Sequence, residues 1–184
     1  TGLSHHPSPR SGFVQSPIIR RWPPRSRCHS LESAKRHNVT TILNPAPVCP
    51  LPDDLLALVD FLTPNEGEAG ALAGVPVQDV ETAREAAERL LARGARRVIV
   101  TLGGQGALAC DSEAVLHFPA FPVAVVDTTA AGDAFNGALA VGIAGGGSLE
   151  QAIPLAGAAG ALTCTKRGAQ DSLPRRSEVE RFLQ

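Results

Sequence analysis

Short apolar runs alternate with alanine-rich helical segments along most of this chain, and that alternation leaves few architectures open. Val39 to Leu43, Asp60 to Thr63, Arg97 to Leu102 and Val123 to Val126 read as strands. Ala107 to Asp111 and Val115 to Phe118 have the spacing of a hairpin. The clearest helix runs from Val80 to Arg93: Ala83, Ala86, Ala87, Leu90 and Leu91 share a face, Asp79 can cap the start and Gly94 can stop it. A short helix over Asp53 to Leu58 and a closing amphipathic one over Ser177 to Leu183 frame the rest, with alanine- and glycine-rich helices at Gly132 to Ala144 and Leu149 to Cys164. Strands joined through crossover helices lie parallel and need covering on both faces, so the expected fold is a three-layer α/β/α unit with a mostly parallel sheet. Ligands of such sheets bind beyond the carboxyl ends of the strands.

The first thirty residues break this rhythm. They are dense in Pro, Ser and Arg and carry neither period, so they are expected to be an unstructured or non-native tail, with the folded unit at 31–184. Residues 1–36 hold seven Arg or Lys against Glu32 alone, and the remainder is acidic. The basic head lacks an amphipathic period and interleaved aromatics beyond Trp22, which argues against a nucleic-acid partner. No apolar run is long enough for a membrane helix and no secretion signal opens the sequence, so a cytoplasmic protein is expected. Cys28, Cys49, Cys110 and Cys164 are too scattered for a zinc site or a disulfide framework, and His117 reads as a strand residue.

Chemistry concentrates in Val126 to Ala140, a strand end, a turn of small residues and a helix start. Small side chains at Ala130, Ala131 and Gly132 leave the first-turn amides open to an anion, and the positive end of the helix adds to their pull. Asp133, beside that opening, suits a base that takes a proton from an attacking hydroxyl. It suits equally well a plain helix-terminus stabiliser.

Residues 127–140 resemble the C-terminal signature of the ribokinase-like, PfkB-type carbohydrate kinases, Asp-Thr-x-Gly/Ala-Ala-Gly-Asp-x-Phe-x-Gly-x-Leu, at every fixed position. The resemblance implies that Asp133 is the catalytic base and meets the sugar hydroxyl, while Ala130, Ala131 and Gly132 form the anion hole. Thr63-Pro64-Asn65-Glu66-Gly67-Glu68 resembles the family's Asn-x-x-Glu motif, in which Asn65 lies near the nucleotide and Glu68 orders water around magnesium. Alone, it would read as a capped helix start. Thr101, Gly103, Gly104, Gln105 and Gly106 resemble its nucleotide loop, although any hairpin could use such glycines. Gly157 stands where the family often has a side chain near adenine. The stretch Thr163 to Ser172 resembles the loop that, with Asp127 and Thr129, encloses a monovalent cation, implying roles for Thr163, Lys166, Gly168 and Ser172. A solvated helix-to-helix loop is the plain alternative.

What the resemblance implies, then, is an ATP-dependent sugar kinase with Mg2+ and K+, acting on ribose or a similar sugar. Asn44-Pro45-Ala46-Pro47 is typical of its ribose-specific members and reads as a structural turn. Fructokinase, deoxyribokinase and nucleoside kinase are alternatives within the family, and a non-catalytic α/β remnant is one outside it. The resemblance spans Leu31 to Leu183, about the C-terminal half of such an enzyme, without the N-terminal strands, the β-lid or the sugar-gripping motifs. The change of composition at Ser30 raises the expectation of a frame-shifted or truncated reading. The chain alone is expected to bind ATP weakly and turn over little, and a full-length parent could be a homodimer. A dinucleotide-binding reading fails, because Gly103 and Gly106 lead into a strand and not a helix.

Overall fold

The computed structural model describes residues 24–184. The elements run α1 (Pro24–Arg36), β1 (Ile42–Leu43), α2 (Asp53–Leu56), β2 (Phe61–Leu62), α3 (Glu66–Ala73), α4 (Val80–Ala92), β3 (Val98–Thr101), β4 (Ala107–Cys110), β5 (Val115–Phe118), α5 (Ala131–Ala144), α6 (Leu149–Cys164) and α7 (Arg176–Phe182). The five strands form one sheet in the order β1-β2-β3-β4-β5. β1, β2 and β3 are parallel, and β4 and β5 close the far side as an antiparallel hairpin. Among the described residues, four strands therefore point the same way and β4 alone is reversed. β1 lies at the other edge and runs straight into Asn44-Pro45-Ala46-Pro47.

Alternation along the strands divides the interior into two layers. Val98 and Val100 of β3, with Leu108 and Cys110 of β4, join Leu56, Leu72, Ala86 and Leu90 on the α1–α4 side. Ile99, Ala107 and Ala109 face Phe135, Leu139, Ile153 and Ala156 on the α5–α6 side. Each fully buried Val, Leu or Ile contributes about 2 kcal/mol. The alanines matter for a different reason: they let α5 and α6 sit close. A Cβ on Gly142 would come within 2.8 Å of the Ala152 Cβ, so that crossing admits only glycine.

α4 shows how local signals and packing agree. The Asp79 carboxylate accepts from the Thr82 amide at 2.8 Å, and the Thr82 hydroxyl accepts from the Asp79 amide at 3.1 Å. Ala83, Ala86, Ala87 and Leu90 are buried, and Gly94 ends the helix at φ 108°.

Three expectations change. α1 begins at Pro24, so residues 24–30 are helical where a tail is expected; residues 1–23 of that tail lie outside the described residues. The first strand shrinks to Ile42–Leu43: the Thr41 carbonyl still accepts from the Phe61 amide at 3.0 Å, but the Thr41 amide donates to the Asp60 carboxylate at 3.0 Å instead of to a strand carbonyl. Val123 to Val126 is not a buried strand: Val125 and Val126 are 64% and 53% exposed. The amides of Val126 and Asp127 donate to the Cys164 carbonyl at 2.8 and 3.2 Å, so this segment is hooked to the end of α6 and never reaches the sheet. Among the described residues, no helix is long and apolar enough to cross a membrane.

Candidate active site

The carboxyl ends of β2 and β3 and the N-terminus of α5 converge on one groove of about 850 Å³. Its lining includes Asn65 after β2, Thr101, Gly103, Gly104 and Gly106 after β3, Ala131 and Gly132 at the start of α5, and Gly157 on α6. Residues from four separate segments thus meet where a parallel sheet presents its ligand site.

Ala130 starts α5 in the left-handed region, at φ 62° and ψ 7°. The Ala131 amide turns back to the Thr128 carbonyl at 3.2 Å, and the Ala134 amide closes the first helical turn on Ala130 at 2.9 Å. Among the described residues, the amides of Gly132 and Asp133 have no protein acceptor. Nothing lies within 4 Å of where a Cβ on Gly132 would stand, so the approach is open. Two free donors at the positive end of a 14-residue helix are a place for an anion. Asp133 is exposed in the same turn. It borders a second, mostly aliphatic cavity of about 260 Å³ between α5, α6 and α7, so consecutive residues open in two directions.

Asn65 and Glu68 form a capping box at the start of α3. The Asn65 side chain accepts from the Glu68 amide and a Glu68 oxygen accepts from the Asn65 amide, both at 2.9 Å. The motif therefore builds a helix start, and its position brings Asn65 to the groove, while the buried Glu68 is not among the lining residues. Thr101 is tied to the β2 side by its amide, which donates to Pro64 at 3.0 Å. Gly103 to Gln105 make one 3₁₀ turn, and positions 103 and 104 face open space. Gly106 sits at φ 93°, where a Cβ would run into the Phe118 carbonyl. Gln105 is turned away: its side chain donates to the Gln78 carbonyl at 3.1 Å, and its own carbonyl lies 2.7 Å from the His117 ring. A side chain at Gly157 would touch the Phe121 ring, so its absence widens the groove.

Asp127 gathers the second loop. Its Oδ1 accepts from the Thr129 hydroxyl at 2.7 Å and the Thr129 amide at 2.9 Å, and its Oδ2 accepts from the Gly168 amide at 3.1 Å. The Thr129 hydroxyl, then the Thr129 and Gly168 amides, pull the carboxyl down to a pKa of about 2. At neutral pH that carboxylate is ionised, and it faces the exposed turn at Gly168. The other residues implied by the resemblance are engaged differently: the buried Thr163 and Ser172 hydroxyls donate to the Ala159 and Ala169 carbonyls at 2.9 Å, and the Lys166 amine lies 3.3 Å from Glu178. Among the described residues, no three His, Cys, Asp or Glu side chains cluster to hold a metal by themselves.

Phe118, Phe121 and Pro154 also line the groove and were not anticipated. The signal available was the Phe-Pro-Ala-Phe-Pro run after the hairpin, which no strand or helix period explains.

Comparisons with known proteins identify the family. The profile described as pfkB family carbohydrate kinase matches residues 23–176. A ribokinase of Haemophilus influenzae is 42% identical over 151 residues, covering 82% of this chain and 49% of the relative. The crystal structure of a Thermotoga maritima ribokinase superposes with a TM-score of 0.76 at 44% identity, over 84% of this chain and 52% of that one. The Arabidopsis thaliana ribokinase complexed with ribose and ATP gives 0.85 at 33% identity, over 90% and 54%. The chain spans about half the length of the relatives it matches. With the glycine-rich groove, the open amides of α5 and a family match across most of its length, this chain belongs to the pfkB family of carbohydrate kinases.

Proposed function

We propose that this chain supplies the nucleotide-binding and phosphoryl-transfer half of an ATP-dependent ribokinase. The observation that carries the reading is the pair of unpartnered amides at Gly132 and Asp133, of which Gly132 lines the large groove and Asp133 borders the adjoining cavity with its carboxylate. The charge of a phosphoryl group in transit is spread over its oxygens, and fixed donors at a helix N-terminus offset it without reorganising.

In this reading the groove takes ATP, with the phosphates over Gly103, Gly104 and Gly132 and the base end toward Gly157. Asp133 accepts the proton of the ribose 5-hydroxyl as that oxygen bonds to the γ-phosphorus. The bond from phosphorus to the β,γ-bridging oxygen breaks, and ADP leaves with that electron pair. Magnesium would ride on the phosphates and neutralise their charge; Glu66 is the carboxylate that lines the groove beside Asn65, while Glu68, the residue the resemblance favours, is held in the capping box behind it. Potassium would lie against Asp127, Thr129 and the Gly168 turn, adding fixed positive charge behind the anion hole. Ribose is favoured over other sugars by the ribokinases among the relatives, one of which was solved with ribose and ATP.

Titration of the chain with MgATP, followed by amide NMR, tests the reading. Shifts at Gly132, Asp133 and Gly103 are expected. An unperturbed α5 start at saturating nucleotide would remove the proposed mechanism.

A further inference from the structure

A buried polar chain runs from the sheet to the opening of α5. The Thr63 hydroxyl, 1% exposed at the end of β2, donates to Asn136 Oδ1 at 2.7 Å. Asn136, 5% exposed, donates from Nδ2 to the Gly132 carbonyl at 2.8 Å. Behind Thr63, the Asn44 side chain donates to the Thr63 carbonyl at 2.8 Å. The orientation of the Asn136 amide is determined by chemistry: turned over, its oxygen would face the Gly132 oxygen, and two acceptors repel. Thr63 has a second acceptor available in the Leu43 carbonyl, but at 3.3 Å it is the poorer one.

We infer that Thr63 and Asn136 are positioning residues for phosphoryl transfer, setting the peptide between Gly132 and Asp133 whose N–H is one of the two open donors. The inference rests on the kinase reading above. In a trans peptide the carbonyl and the N–H point in opposite directions, so holding the Gly132 oxygen inward aims the Asp133 N–H outward. Donation into that carbonyl also polarises the peptide and strengthens its N–H as a donor. Because Thr63 lies two residues before Asn65, the same hydroxyl joins the nucleotide edge of the groove to the anion hole. Neither side chain touches a reacting atom. Their effect is carried through one peptide plane.

The test uses the full chain and MgATP as the probe. Thr63→Val removes the hydroxyl at nearly constant shape, Thr63→Ser keeps it, and Thr41→Val removes a buried hydroxyl from the same sheet, one that serves Leu58 and Asp60 instead. In ligand-free protein, Thr63→Val is expected to move the Asp133 amide proton upfield, while Thr63→Ser and Thr41→Val leave it in place. MgATP affinity should fall about tenfold in Thr63→Val only, the loss of one charge-assisted bond. If Thr63→Val does not fold, Asn136→Ser, too short to reach the Gly132 oxygen, is read by the same two signals. An unmoved Asp133 amide, or equal loss of affinity in Thr63→Val and Thr41→Val, overturns the inference. A wild-type chain that binds no MgATP sinks the kinase reading, and the ligand-free shift then still decides the relay.

Discussion

The Gly168 amide donates to the Asp127 carboxylate at 3.1 Å across 41 residues of sequence, fastening the loop after α6 to the turn before α5. The bond needs an ionised acceptor, and three donors keep it so. The folded-state pKa is depressed from 3.8 to about 2. The stabilisation is therefore fully present above the unfolded value and is lost as pH falls through the folded one. Carboxyl carbon NMR of Asp127 should show a midpoint near 2, and the protection of the Gly168 amide relative to its intrinsic exchange rate should fall only in that acid range. A midpoint near 3.8 would show that the loop is not fastened.

Gly106 cannot be replaced. Its φ of 93° and ψ of −127° belong to glycine, and a Cβ would meet the Phe118 carbonyl, which is backbone and cannot step aside. Gly106→Ala should cost about 2 to 4 kcal/mol in thermal unfolding, and weaken nucleotide binding, because the 3₁₀ turn shifts with it.

Arg93 ties together three segments. It donates to the Leu72 carbonyl at 2.7 Å and the Leu51 carbonyl at 2.6 Å, and its Nε reaches Asp53 at 2.9 Å. The exposed ion pair adds little, whereas two carbonyls lose a charged donor when it goes. Arg93→Ala should destabilise by about 2 kcal/mol in chemical denaturation, and Arg93→Lys should recover under half, since an ammonium cannot span the fork. Equal stability of the lysine variant would contradict this.

Asp133 is exposed, so removing its charge should leave stability alone and strike only turnover. In a chimera carrying the N-terminal half of a ribokinase, Asp133→Asn should lower the rate of ribose phosphorylation by about 10² or more while MgATP affinity changes little. The chain by itself should bind MgATP weakly and transfer phosphate poorly, because it spans about half the length of its relatives. Retained turnover in the variant chimera would strip Asp133 of the role of base.

Elements whose local and tertiary preferences agree could be read directly. α4 has a capping box, an alanine stripe and a glycine stop, and the β4–β5 hairpin alternates as a two-sided sheet should. α3 is only eight residues, contains Gly67 and Gly70 and lacks a marked apolar face, so its capping box and the Gly74 stop are the signals it offers. Val123 to Val126 misleads because an apolar, β-branched run looks the same whether it enters a sheet or crosses a helix end. At the candidate site, motif spacing pointed to Asn65, Gly103 and Gly132, which line one groove, and to Asp133, which borders the cavity next to it. It could not show that Gln105 turns toward Gln78, or which amides of the α5 turn remain open, since both follow from contacts between distant segments.

The outer side of β1 bears on self-association. Among the described residues nothing pairs with that flank, and a bare strand invites another chain to zip onto it, but here the invitation lasts two residues before Pro45 and then Pro47 withhold their N–H groups. Any partner strand that joins the sheet there must carry its own side chains into the two apolar layers, because hydrogen bonding along so short a border holds very little.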